Sequence, residues 1–272
     1  MKLGVTLRNM GTQSSPDVVI AGARAAEAAG MESVWVTDHI AIPPDDAEGS
    51  GGRYLDPLIT LSVLAGATSE IGLGSGVLIL PYRPALPTAK QVASLQELSS
   101  ERLLLGVGIG WMDPEFRALG VDRHQRGRQS DEILEFMAGC FAAPGDVTEA
   151  NGQPFLFRPN PKAPPIYVGG RAPHALKRAL RHGAGWLPMG ADPERLARDV
   201  AEFEALARAS GTERGPITLM APLPLAERDE SNAMLERYAA LGVERLVCAL
   251  RYDTLAEYQR QLEHLAGLKL PS

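Results

Sequence analysis

Short runs of apolar and β-branched residues alternate along this chain with longer stretches whose apolar positions recur at helical spacing. The first run covers residues 3–7 and includes Val5 and Thr6, the composition of a buried strand. Ser15-Pro16-Asp17 then reads as a helix start. Serine can cap the helix, proline suits its first position, and aspartate favours the positive end of the dipole. Val19, Ala23 and Ala26 share one helical face, and Gly30 ends it. Residues 33–37, Ser-Val-Trp-Val-Thr, form the next strand.

The pair then repeats. The pattern predicts further strands over 71–80, 102–107, 165–168, 185–189, 217–221 and 245–249. It predicts helices over 57–68, 86–98, 131–141, 173–181 and 232–241, one from Asp192-Pro193, and one from the capping box Thr254-x-x-Glu257. Leu196, Val200, Phe203 and Leu206 mark the buried side of the helix after Asp192, and Leu255, Tyr258, Leu262 and Leu265 that of the last.

Eight strands thus alternate with eight helices. Parallel strands need crossover helices, and eight such units close into a (β/α)8 TIM barrel. The rival is an open, doubly wound sheet. It requires a glycine-rich turn after the first strand, where this chain has Arg8-Asn9-Met10-Gly11. It also requires GxGxxG, whose nearest match, Gly106-Val107-Gly108-Ile109-Gly110, follows the fourth strand. The expected architecture is therefore α/β, a single barrel domain over 1–272 with its site at the C-terminal ends of the strands. Two long connections stand out. Residues 43–56 are glycine-rich, follow the second strand and suit a lid. Residues 144–164 carry Phe155 and Phe157 among prolines and suit a packed excursion.

Composition narrows the partners. The 272 residues are 45% hydrophobic and 22% charged, with a net charge of −6 and no long basic run. Nucleic acid and anionic membrane are not expected partners, whereas a small-molecule substrate is. No apolar stretch approaches the roughly 18 residues of a membrane span, and the N-terminus lacks a signal-peptide pattern. Two distant cysteines, Cys140 and Cys248, suit a reducing, cytoplasmic compartment. His39, His124, His174, His182 and His264 include no i, i+4 pair, so no metal site is expected. Neither a GxSxG elbow nor a nucleotide P-loop is present.

Four places can carry chemistry. Asp38-His39 ends the second strand, where barrel chemistry collects, and histidine is poised near neutral pH. Gly72, Gly74 and Gly76 put small surfaces on one side of the third strand. Either a flat ligand lies against them or the barrel packs tightly there. The Gly106–Trp111 turn exposes backbone amides to a phosphate or ring. Val168-Gly169-Gly170-Arg171 feeds a helix, which suits an anion or an ordinary βα turn. Arg83 and Arg251 could meet an anionic substrate, or be paired or solvated.

Taken in order, several segments resemble the luciferase-like family of flavin and deazaflavin oxidoreductases. They are Ala26-Glu27-Ala28-Ala29-Gly30, Ser33-Val34-Trp35-Val36-Thr37-Asp38-His39 and Asp56-Pro57-Leu58. Then come residues 71–83 (IGLGSGVLILPYR), Ala89-Lys90-Gln91, residues 102–111 (RLLLGVGIGW) with Glu115-Phe116 and Leu119-Gly120, residues 164–170 (PPIYVGG) and Gly183-Ala184-Gly185-Trp186. The run 80–83 (LPYR) and the turn 108–111 (GIGW) look most like the actinobacterial group that uses coenzyme F420.

The resemblance implies hydride transfer between F420 and a small organic substrate. It implies that His39 works as acid or base beside the deazaflavin, and that Asp38 contacts the ring. A non-proline cis bond at Gly76-Val77 would support the ring from behind. Val107, Gly108, Gly110, Gly169, Gly170 and Arg171 would hold the cofactor and its phosphate. A homodimer is usual in the family. Two departures matter. Ile109 stands where the family's sugar-phosphate dehydrogenases carry a proton-exchanging glutamate, and where many FMN-using members carry an arginine. Gly183-Ala184-Gly185-Trp186 lacks the usual aspartate. The alternatives are an FMN-dependent monooxygenase fed by a flavin reductase, and a non-catalytic flavin-binding barrel.

Overall fold

A run of eight parallel strands can bury both faces of its sheet if the sheet closes around its own side chains and helices cover the outside. This chain does so. The computed structural model describes residues 1–47, 49–190 and 192–271. In chain order the strands are β1 (Lys2–Thr6), β2 (Ser33–Val36), β3 (Gly72–Ile79), β4 (Leu103–Gly108), β5 (Val147–Ala150), β6 (Gln153–Leu156), β7 (Ile166–Gly169), β8 (Gly185–Leu187), β9 (Ile217–Ala221) and β10 (Val243–Cys248). The α-helices are α1 (Pro16–Ala28), α2 (Pro57–Ala67), α3 (Ala85–Leu98), α4 (Asp113–Leu119), α5 (Arg126–Phe141), α6 (His174–Arg181), α7 (Pro193–Ala209), α8 (Arg228–Ala240) and α9 (Leu255–Ala266). The closed barrel runs β1-β10-β9-β8-β7-β4-β3-β2, and β5 and β6 pair outside it as an antiparallel hairpin.

Local signals mostly place the elements. Asp56 caps α2, Asp192 caps α7, and Thr254 with Glu257 forms the capping box of α9. Ser15 precedes α1 without making a side-chain cap bond, contrary to its sequence reading. Helix α5 begins at Arg126 rather than 131, and α4 is an added short helix. The connection 144–164 contains the hairpin, turned at Asn151-Gly152 with φ values of 52° and 74°. Asn-Gly tolerates that pair of positive angles, which two-residue hairpin turns require.

The interior is filled by Trp35, Tyr167, Leu187, Met220 and Val247, with Val77 and Leu104 against them. The indole of Trp35 decides the choice left open for the third strand. A Cβ at Gly74 would lie 2.2 Å from that ring, and one at Gly76 would lie 2.5 Å from Met220. The flat group lying on these glycines is the protein's own tryptophan. Below it, the Arg245 guanidinium plugs the floor, bonding Glu32 at 2.6 and 2.8 Å and the Tyr167 hydroxyl at 2.9 Å. Burial works to lower the Arg245 pKa, but the Glu32 carboxylate outweighs it and holds the guanidinium charged.

Above Trp35 the β3–β4 register slips. Ser75 pairs with Leu105 and Leu78 with Val107, so Gly76 and Val77 together face Gly106. Their peptide bond is cis. The bulge turns Val77 toward the strands beside it, and Cβ atoms at Gly108 and Gly169 would meet its methyls at 2.5 and 2.7 Å. Those two glycines therefore make room for Val77. Among the described residues no helix is long and apolar enough to cross a membrane.

Candidate active site

The C-terminal end of β2 delivers Asp38 and His39 in succession, and their side chains part company. Asp38 has no exposed side-chain surface. Its carboxylate accepts both guanidinium nitrogens of Arg83, at 2.5 and 2.9 Å, and the Ile79 amide at 2.8 Å. Arg83 also reaches Asp56 at 2.9 Å. Burial works to lower the Arg83 pKa, but Asp38 and Asp56 outweigh it and keep the guanidinium charged. The side-chain oxygens of Asp38 are thus engaged within the protein. They tie β2 to β3 and, through Arg83, to the cap of α2. Arg83 is likewise engaged, paired with both Asp38 and Asp56.

His39 turns instead toward α4 and Trp111, with 16% of its side chain exposed. Its Nδ1 lies 2.7 Å from Oε2 of Glu115. Its ring meets Tyr54 edge-on at 4.9 Å and Trp111 at 6.2 Å. Glu115 is fully buried in the first turn of α4. Its Oε1 accepts the amides of Ile40 and Ala41 at 2.7 and 2.9 Å, and its Oε2 also accepts the Tyr82 hydroxyl at 3.0 Å. Burial works to raise the Glu115 pKa. The two amides and His39 outweigh it, so the carboxyl is held below its ordinary value. The Tyr82 phenol is pushed up, first by burial and then by the adjacent Glu115 charge.

Sequence reasoning noted Glu115 only as part of a motif. An acid in a helix's first turn is common enough to pass as a dipole partner, and the histidine it holds is distant in the chain. Asn9 was missed for the same reason. Fully buried, it donates to the carbonyls of Thr37 and Leu55, both at 2.8 Å, and accepts the Thr37 amide at 3.0 Å. It joins β1, the end of β2 and the connection 43–56. That connection is pinned further by Arg53, which donates to Ser14 Oγ at 2.9 Å and Ser14 O at 3.1 Å. Leu55 N bonds Asn9 O at 2.9 Å and Gly11 N bonds Arg53 O at 3.0 Å. Its second half is thus fastened to the β1–α1 connection, which differs from a free lid.

Two cavities open at the strand ends. One, of about 690 Å3, is lined by Trp111, Gly170, Arg171, Trp186, Met189 and Arg195 among others. Arg171 is exposed and has no ion pair among the described residues. Gly170 holds φ at 128°, and a Cβ there would meet only Ala175, at 3.3 Å. Its carbonyl accepts the Trp186 indole N–H at 3.0 Å. The Ala175 amide is taken by the Arg171 carbonyl at 3.1 Å, and Arg195, the other arginine of the lining, is paired with Asp199 at 3.6 Å. The mouth also carries exposed apolar residues: Trp111 at 66%, Met189 at 57% and Ile40 at 47%. The second cavity, of about 640 Å3, lies over β1, β9 and β10 and includes Arg8, Thr37, Met220, Arg251 and Tyr252. Of the sequence candidates, His39, Gly170 and Arg171 reach open space. Val107, Gly108 and Gly169 are packed about Val77. Gly110, with φ at 74°, lies against Ile79 and Phe116.

The chain belongs to the luciferase-like monooxygenase family, whose model matches residues 1–270. It is 33% identical over 225 residues to the F420-dependent hydroxymycolic acid dehydrogenase of Mycobacterium tuberculosis, covering 80% of this chain and 60% of that one. Its fold superposes on an F420-dependent secondary alcohol dehydrogenase with a TM-score of 0.82 at 15% identity, covering 98% of each chain. It also superposes on the FMN-bound oxygenating constituent of the 3,6-diketocamphane monooxygenase of Pseudomonas putida, with a TM-score of 0.78 at 14% identity, covering 100% of this chain and 99% of that one. Proteins of both cofactor types therefore share its fold.

Proposed function

We propose that the protein is an F420-dependent oxidoreductase acting on a small, largely apolar organic molecule. The observation that carries this reading is the His39–Glu115 pair, an acid–base group at the end of β2 whose imidazole lies 6.2 Å from Trp111, a residue of the 690 Å3 cavity. When bound, F420 supplies a hydride acceptor and donor at C5 of its deazaflavin ring. The protein's part is proton handling at His39, an apolar wall from Trp111, Met189 and Ile40, and an anion contact at Arg171. The residues fit such a group. A cavity of about 690 Å3 falls in the range typical of cofactor sites. Gly170 leaves open a surface that a side chain would occupy, and Arg171 is free to meet a phosphate. Two features favour F420 over FMN. Position 109 is isoleucine rather than an arginine, and the F420-dependent relative matches over most of this chain.

Anaerobic turnover tests the reading. With F420 as the only hydride carrier, a panel of short alcohols and ketones should include at least one that changes the visible absorbance of the deazaflavin. Turnover seen only with reduced FMN and oxygen would overturn it.

A further inference from the structure

The Glu115 carboxylate is saturated, and that fixes the state of its neighbour. An ionised carboxylate only accepts, with about four lone-pair sites. Two are taken by the backbone amides of Ile40 and Ala41, which can only donate, and a third by the Tyr82 hydroxyl. The fourth partner is His39 Nδ1 at 2.7 Å. For that contact to be a hydrogen bond, Nδ1 must carry a proton. We infer that Glu115 is a positioning residue that holds neutral His39 as its Nδ1–H tautomer, leaving Nε2 bare as the atom that exchanges a proton with substrate.

This rests on the acid–base reading of His39 given above. Nε2 has no protein partner among the described residues, and the ring is bracketed edge-on by Tyr54 and Trp111. In the oxidising direction, a substrate hydroxyl gives its proton to Nε2. When bound, the deazaflavin would take the hydride that leaves the substrate carbon as the O–H and C–H bonds break and the C=O bond forms. In the reverse direction Nε2 returns the proton to the carbonyl oxygen. Glu115 touches no substrate and acts through His39. It thus brings a carboxylate to His39 from α4.

Glu115→Gln separates this role from a merely structural one. The amide is the same size, and its oxygen can still accept from Ile40 and Ala41. Its NH2 would face Nδ1 and donate to it, moving the ring proton to Nε2 and blocking that atom as a base. Long-range 1H–15N spectra of histidine-labelled protein, with the His39 signal assigned by its loss in His39→Ala, read the tautomer directly. The expected result is an Nδ1–H ring in the wild type and an Nε2–H ring in Glu115→Gln. Turnover should fall roughly 10²-fold with KM changed by less than about threefold. A wild-type ring protonated at Nε2 alone overturns the inference, even if the variant fails to fold. Unchanged turnover in a folded Glu115→Gln protein overturns it as well. The expected tautomers in a protein that never turns over with F420 would uphold the tautomer and sink the cofactor assignment instead.

Discussion

Gly106→Ala is expected to destroy the fold, although it adds one methyl group. An ideal Cβ at this position lies 2.0 Å from the Ser75 carbonyl oxygen and 3.0 Å from Leu187. The first contact is with backbone, so no side chain can swing away. That oxygen stands where β3 bulges, and Ser75 Oγ donates to the Gly106 carbonyl at 2.8 Å. Relieving the clash means opening the β3–β4 pairing beneath the site. Overpacking of a closed core commonly costs about 1–3 kcal/mol. A backbone collision that also breaks a buried hydrogen bond should exceed about 4 kcal/mol, a large share of a domain's stability. Thermal melting should show little or no cooperative transition. Gly139→Ala is the control. Gly139 lies within α5 and nothing is within 4 Å of its Cβ position. Helix propensity alone should then stabilise the protein by about 0.5–1 kcal/mol. Equal melting of the two variants would show that Gly106 is not confined as described.

His39→Ala is expected to lower turnover by about 10²-fold or more while leaving cofactor affinity within about twofold. The imidazole removed is the proton-exchanging part of the Glu115 cluster in the proposed mechanism. Ile40, Ala41 and Tyr82 still satisfy the carboxylate, so the end of β2 should stay in place. Residual turnover would come from holding substrate and cofactor together. The check is kcat at saturating substrate beside a direct binding titration. Loss of affinity with kcat unchanged would make His39 a binding residue.

The barrel was legible in the sequence because its signals are local. Strand runs, caps and Gly30 each speak for a few residues, and eight repeats of one unit leave little topological choice. Short elements escaped. Helix α4 spans two turns, and its Pro114 and Gly120 look like loop punctuation. The hairpin did carry a signal, Asn151-Gly152 between alternating residues, hidden by the prolines around it. The site was half legible. Strand-end position singled out His39 and Gly170, and the bulge at Gly76-Val77 was expected from the family pattern. Partnerships across the chain were not visible. Nothing in the local pattern shows that Asp38 belongs to Arg83, that Trp35 covers the Gly74 backbone, or that Glu115 closes on His39. Glycine spacing shows where a side chain is forbidden, and only the fold shows what takes the space.

Gly170 shows how one residue can carry two constraints. Its φ of 128° is one that other residues rarely adopt. A bulky substitution there would cost stability, of order 1–3 kcal/mol, besides any loss of affinity. Arg171, exposed and unpaired among the described residues, is the cleaner probe of the anion contact.

Equilibrium titration of the wild type and Arg171→Ala with F420 and with FMN tests the central claim most directly. The wild type should bind F420 at least tenfold more tightly than FMN, and Arg171→Ala should weaken F420 binding about tenfold with an unchanged melting temperature. Tight FMN binding with no measurable binding of F420 would contradict the account.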